Sequence, residues 1–135
     1  AEIRGKVRFV EVPARKLIRQ GEGPGSKVII DNEAEVPPYP IRLHLLRIGK
    51  VAYCGIGGEL YTTHAQAIQE ALPLKNVVIV NHDASMIDDA NYIPDDENIR
   101  ISDNGVQGSR AWAYKPGFVR PALTAAAVEM MDEML

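Results

Sequence analysis

At 135 residues the chain is long enough for one domain with a sizeable core and too short for two. Its 46% apolar content is ordinary for a globular protein, and a formal net charge of -3 offers nothing basic enough to track a phosphate backbone, which sets nucleic acid aside as a partner. No apolar run approaches the ~18–20 residues that cross a bilayer, so no transmembrane segment is expected.

There is no charged n-region followed by an apolar run, so no uncleaved signal peptide is expected. Ala1 in place of Met fits signal or Met removal as well as internal proteolysis. A lone cysteine, Cys54, forms no internal disulfide.

Residues Lys6 to Val12 are rich in β-branched and aromatic types and stop at Pro13, which predicts a strand. Gln20 to Ser26 holds three glycines and a proline and reads as a loop, with a short strand over Lys27 to Ile30 after it. Val36 to Pro40 is stiff and extended. Ile41, Leu43 and Leu45 then alternate with Arg42 and His44, the pattern of a half-buried strand, and Gly49-Lys50 fits a two-residue hairpin turn. Val51 to Ile56 and Asn76 to Val80 are apolar on both faces, so both are expected inside a sheet.

One helix is expected between those two strands. Thr63 and Gln66 have capping-box spacing, Ala65, Ile68 and Leu72 make an inner stripe, and Pro73 closes the element. Strand, helix, strand in that order predicts a parallel crossover. From Asn81 to Arg120 the periodicity fades, and Ile87, Tyr92, Ile93, Trp112 and Tyr114 predict a packed irregular loop. A last helix begins near Pro121, with Leu123, Ala127, Met130 and Met134 inward and Glu129, Asp132 and Glu133 outward. The expected fold is therefore α/β, a mixed sheet with flanking helices.

Few residues offer chemistry. Glu59 follows Gly57 and Gly58 at the end of an interior strand, where a sharp turn brings a side chain over the sheet edge. It reads equally as a carboxylate favouring the positive end of the coming helix. Tyr92 is a site residue or a loop anchor. His82 and Asp83 open the long loop at the sheet edge where α/β folds bind ligands, and read as an oriented base, a metal ligand or the start of a turn.

His44 reads as a structural residue on its strand, and His64, in the first turn of a helix, is ambiguous. Asp88, Asp89, Asp95, Asp96 and Glu97 lack the ordered spacing of a calcium loop and read as solvated. Gly21, Gly23 and Gly25 do not join a strand to a helix, so they make no phosphate-binding turn. No Ser lies in a G-x-S-x-G elbow and Cys54 sits mid-strand, which leaves nucleophilic catalysis by this chain alone with weak support.

Leu46-Arg47-Ile48-Gly49-Lys50-Val51-Ala52 with Gly58-Glu59 comes first in a series of four pieces. The strand Asn76 to Val80 with Asn91-Tyr92-Ile93-Pro94 is the second, Gly108-Ser109-Arg110 with Lys115-Pro116-Gly117 the third, and the Ala-rich last helix the fourth. In order and spacing, from about Val36 to Leu135, these resemble the C-terminal part of the catalytic domain of the neutral/alkaline ceramidase family.

Members of that family are zinc-dependent amide hydrolases whose metal is held by two His, one Glu and one Tyr. The resemblance implies zinc as cofactor, with Glu59 and Tyr92 as metal ligands; His82, from its place at the sheet edge, joins them as a weaker catalytic candidate. Gly57 stands where the family has Pro, and the loop before Tyr92 is longer. The family's two ligand His residues lie upstream of the part matched here.

The resemblance therefore implies a second chain that supplies the rest of the hydrolase domain, and a small-molecule or lipid amide as substrate. Under it, residues 1–135 are the C-terminal portion of a ceramidase-like hydrolase domain, incomplete without that partner, and Ala1 fits a cleavage origin. The rival expectation is a non-catalytic interaction subunit that kept the fold and lost the metal. A third, a metal-free hydrolase using His82 and Asp83, requires activity that survives chelation.

Overall fold

The computed structural model describes residues 2–22, 25, 27–81, 90–103 and 112–135. Strand β1 (Ile3–Val12) precedes a hairpin of β2 (Lys16–Gln20) and β3 (Lys27–Asp31), then come β4 (Tyr39–Ile48), β5 (Val51–Ile56) and the short β6 (Gly58–Leu60). Helix α1 (Thr62–Ala71) leads to β7 (Asn76–Val80), and β8 (Ala90–Ile93), α2 (Asp96–Asp103) and α3 (Val119–Met134) complete the chain. The order across the main sheet is β1-β4-β5-β7. Its pairs are antiparallel except β5 with β7, which run parallel through the α1 crossover. The fold is thus α/β with a mixed sheet and flanking helices, as the alternation of patterns predicts.

Gly49 carries the tight turn between β4 and β5 at φ 58°, and Ile48 faces Val51 across it. Pro40 lies inside β4 without breaking the sheet. Pairing with β5 ends at Leu43 and Ile56, so the missing N–H of Pro40 is not called on from that side.

Each strand buries alternate residues on one side. Val10 and Val12 of β1, Ile41, Leu43 and Leu45 of β4, and Ala52, Cys54 and Ile56 of β5 are buried beneath α1 and α3. Helix α3 returns Leu123, Ala127, Met130, Met131 and Met134 to that core. Its outer carboxylates then reach the edge strand: Glu129 pairs with Arg8 at 2.7 Å, and Glu133 with Lys6. On the opposite side of the sheet no described helix packs, and Ile3, Val7 and Phe9 of β1 and Val78 and Val80 of β7 are exposed.

Several expectations need correction. β7 has the predicted bounds but, among the described residues, lies at the sheet edge rather than inside it, and only its Val77 and Ile79 pack on the core. β1 starts three residues earlier than predicted, because Ile3 to Gly5 continue the ladder opposite Leu46 to Ile48. The stretch expected to be irregular contains β8 and α2. Asp95, expected in a solvated run, is 9% exposed and caps α2 through the Asn98 amide at 3.0 Å. The Thr63–Gln66 capping box does not form: Tyr61 is the N-cap of α1 without a side-chain bond, and Thr63 turns to Asp95. The inner stripe of α1 is His64, Ile68 and Leu72, with Ala65 only partly covered.

Arg15 closes the end of the domain beyond β1. Its guanidinium makes a two-pronged bond to Asp103 at the end of α2, 2.7 Å on each arm, and its Nε donates to the Trp112 carbonyl at 3.0 Å. The backbone doubles the tie through Arg15 N–H to Ala113 and Lys115 N–H to Pro13. The Arg15 side chain is 3% exposed and its partner 23%, so losing the cation strands a half-buried carboxylate. Arg15→Ala is expected to cost about 2–4 kcal/mol in urea unfolding, and Arg15→Lys to recover only part, because an ammonium cannot span both oxygens. An unchanged midpoint would overturn this assignment.

Candidate functional site

The main sheet ends where Gly57 N–H donates to the Arg42 carbonyl at 2.8 Å, the last bond across to β4. Gly58 then takes φ 146°, a backbone setting that side chains beyond glycine rarely allow. That turn carries the chain away from β4 and into a second, two-stranded parallel ladder with β8. Gly58 pairs with Ala90 and Glu59 with Tyr92, so β8 takes two steps while β6 takes one. This bulge re-aims the strand and makes Glu59 and Tyr92 direct partners. Partners in a ladder leave from the same face, one strand spacing of ~4.8 Å apart. Glu59 is half-buried and Tyr92 is 42% exposed, so the pair sits at an open edge.

The residues just past each strand fix the pair. The Tyr61 N–H donates to the Ile93 carbonyl at 3.2 Å, and the His64 Nε2–H donates to the Pro94 carbonyl at 2.9 Å. The Thr63 hydroxyl donates to Asp95 at 2.9 Å. The first turn of α1 is thereby tied to Ile93, Pro94 and Asp95 in sequence. From the other side Asn81, just past β7, acts as a substitute strand: its Oδ1 accepts from the Leu60 N–H at 2.8 Å and its Nδ2 donates to the Leu60 carbonyl at 3.2 Å. Glu59 and Tyr92 are the outward products of a segment bonded on both sides.

Two of these supports have shifted ionisation. For Asp95, burial acts against the charged form. The Asn98 side chain and amide and the Thr63 hydroxyl outweigh it and hold the carboxyl below its usual range. For His64, burial pushes the imidazole below its ordinary value of 6.5, opposed by the Pro94 bond, assisted by Arg120, and opposed again by Asp95 and Asp96. With Nε2–H committed to Pro94, Nδ1 is the unprotonated nitrogen, buried without a partner among the described residues.

Of the residues singled out in the sequence, the structure brings Glu59 and Tyr92 together. Glu59 stands on β6, two residues before the N-cap of α1. His82 and Asp83, with Asp88 and Asp89, lie outside the described residues. His44 lies half-buried on the open side of β4. Cys54 is buried mid-strand and its thiol is pushed up to about 12, which suits core packing and not nucleophilic attack. Among the described residues no group of three His, Cys, Asp or Glu side chains gathers to hold a metal. No described helix is long and apolar enough to cross a membrane.

Sequence reasoning missed His64, Asp95 and Asn81 as the supports of the site. The D-x-x-N spacing of Asp95 to Asn98 was the available signal for a helix cap. Compared with family models, curated proteins and solved structures, the chain matches none.

The His64 setting has a testable sign. Its folded pKa lies below the unfolded one, so the contribution to stability is whole above pH ~6.5 and is lost as pH falls below it. In His64→Gln, which keeps a donor for Pro94, the fall in melting temperature between pH 7.5 and 5.5 is expected to shrink. A slope unchanged from the parent would exclude His64 as its source.

Proposed function

We propose that this chain is a subunit or processed portion of a zinc-dependent amidohydrolase acting on an N-acyl or related amide bond, with Glu59 and Tyr92 as its share of the metal ligands. The observation that carries the reading is the pairing of Glu59 with Tyr92 across the β6–β8 ladder. Two residues linked only by a family resemblance in the sequence turn out to be strand partners at an accessible edge.

The donors suit half of a site. A carboxylate and a phenolate are hard anionic oxygens whose two charges balance one divalent cation, although phenolate is rarer than His, Cys or carboxylate. A catalytic zinc site takes three protein ligands and a water, so at least one further ligand must come from outside the described residues. Bound there, zinc supplies a water of pKa near ~7 and polarises the amide carbonyl. The chain's own residues act by position. Glu59 and Tyr92 leave neighbouring strands as direct partners, and the bonds of Tyr61, Thr63 and His64 to residues 93–95 hold the backbone register that pairs them.

The rival reading, a non-catalytic interaction subunit, is favoured by one observation: the apolar side of the sheet that no described element covers. Metal content separates the two. In the full assembly isolated without chelator, Glu59→Gln and Tyr92→Phe are each expected to lower bound zinc and amidase turnover at least ~10-fold while the assembly persists. Zinc and turnover equal to the parent in both variants would end the metal reading, and an assembly without zinc from the start would favour the interaction subunit.

A further inference from the structure

His64 is a polar side chain held out of water, 1% exposed, in the first turn of α1. A carbonyl accepts and never donates, so the 2.9 Å contact with Pro94 puts the ring proton on Nε2. Nδ1 is then a bare acceptor, enclosed and without a partner among the described residues. A proton arriving there makes the ring a cation with a second N–H, and both the charge and the new donor are buried.

The groups around the ring are already committed. Asp95 Oδ2 accepts from the Thr63 hydroxyl at 2.9 Å, and its Oδ1 takes both the backbone N–H and the side-chain amide of Asn98. Asp96 Oδ1 accepts from the Gly117 N–H at 2.8 Å. Burial weighs most against charge on the ring. The Pro94 bond and the carboxylates of Asp95 and Asp96 favour the charge, and Arg120 of α3 opposes it.

What the ring fastens is a short structure. β6 and β8 have three and four residues and pair only with each other among the described strands, and α1 starts at Tyr61 without a side-chain cap. The four-stranded sheet is held instead by the apolar core it shares with α3. Opening the edge is therefore the smaller excursion that lets a charged ring reach water.

We propose that His64 is an acid-released latch on the β6–β8 edge. Proton uptake at Nδ1 turns the ring out to water, and the first turn of α1 parts from Ile93, Pro94 and Asp95. Glu59 then loses its register with Tyr92 while the four-stranded sheet stays closed. The device concerns how the pair is held, and it stands whether or not the pair carries zinc.

Amide hydrogen exchange of the whole chain at pH 7.5, 6.5 and 5.5, corrected for the intrinsic rate at each pH, reads the latch. The Leu60 and Tyr61 N–H groups, which bond Asn81 and Ile93, report the edge, and the amides of β5, between β4 and β7, report the sheet. The edge is expected to open more often than β5 at every pH. Its opening constant is expected to rise ~3–10-fold from pH 7.5 to 5.5, the upper figure being the limit for one proton on a group of ordinary value 6.5. Equal opening of edge and β5, or an edge constant that ignores pH, overturns the proposal.

His64→Gln keeps a donor for Pro94 and has no proton to gain, so the rise at the edge is expected to vanish. A rise that persists belongs to another group and overturns the assignment. The imidazole nitrogen resonances of the parent supply a measurement that needs no variant. They are expected to show the Nε2–H form at pH 7.5 and to gain the second proton in step with opening of the edge. A ring doubly protonated while Leu60 and Tyr61 stay protected overturns the latch.

Discussion

The site depends on one short set of hydrogen bonds, those joining the first turn of α1 to Ile93, Pro94 and Asp95. Glu59 and Tyr92 are far apart in the chain and sit on strands of three and four residues. A two-stranded ladder that short is marginal by itself. What gives it a fixed register is that each strand runs directly into a bonded support, and that two of the bonded groups, His64 and Asp95, are removed from water. Water competes poorly for bonds in such a place, so each counts for more than a surface bond would.

Much of the fold was legible because its elements carry strong periodicity. β5 and β7 have the predicted bounds, the Gly49 turn lies where expected, and the crossover between the parallel strands is implied by the order of patterns. The failures have physical causes. Apolarity on both sides of Asn76 to Val80 reports what could be buried, not whether a neighbouring strand exists, so its edge position was hidden. The cap at Thr63 was lost to a competitor from elsewhere in the chain: its hydroxyl bonds the Asp95 carboxylate, which local spacing does not reveal. α2 was obscured because its first residues, Asp96 and Glu97, look like solvent-facing charge, although acids suit a helix start.

Glu59 and Tyr92 could each be singled out in the sequence, but their pairing could not. Nothing in the local pattern of Ala90 to Ile93 predicts that four residues pair in parallel with Gly58 to Leu60, or that a bulge aligns Tyr92 with Glu59. The strand is too short for alternation to register, and its partner lies beyond a helix and another strand. The supports were invisible for a related reason, since Asn81 acts through an amide that imitates backbone, and any polar residue after a strand looks like the start of a loop.

Cys54 gives the molecule an internal clock. The sole thiol of the chain lies in β5, flanked in the sheet by Leu45 and Ile79, and burial holds it almost wholly in its unreactive protonated form. An alkylating reagent reaches it only when the centre of the sheet opens, so the pace of labelling counts excursions of the core and ignores fraying at the β6–β8 edge. Fraying of the β6–β8 edge and loss of the fold are therefore separable events in this chain, read from one sulfur atom without any added probe.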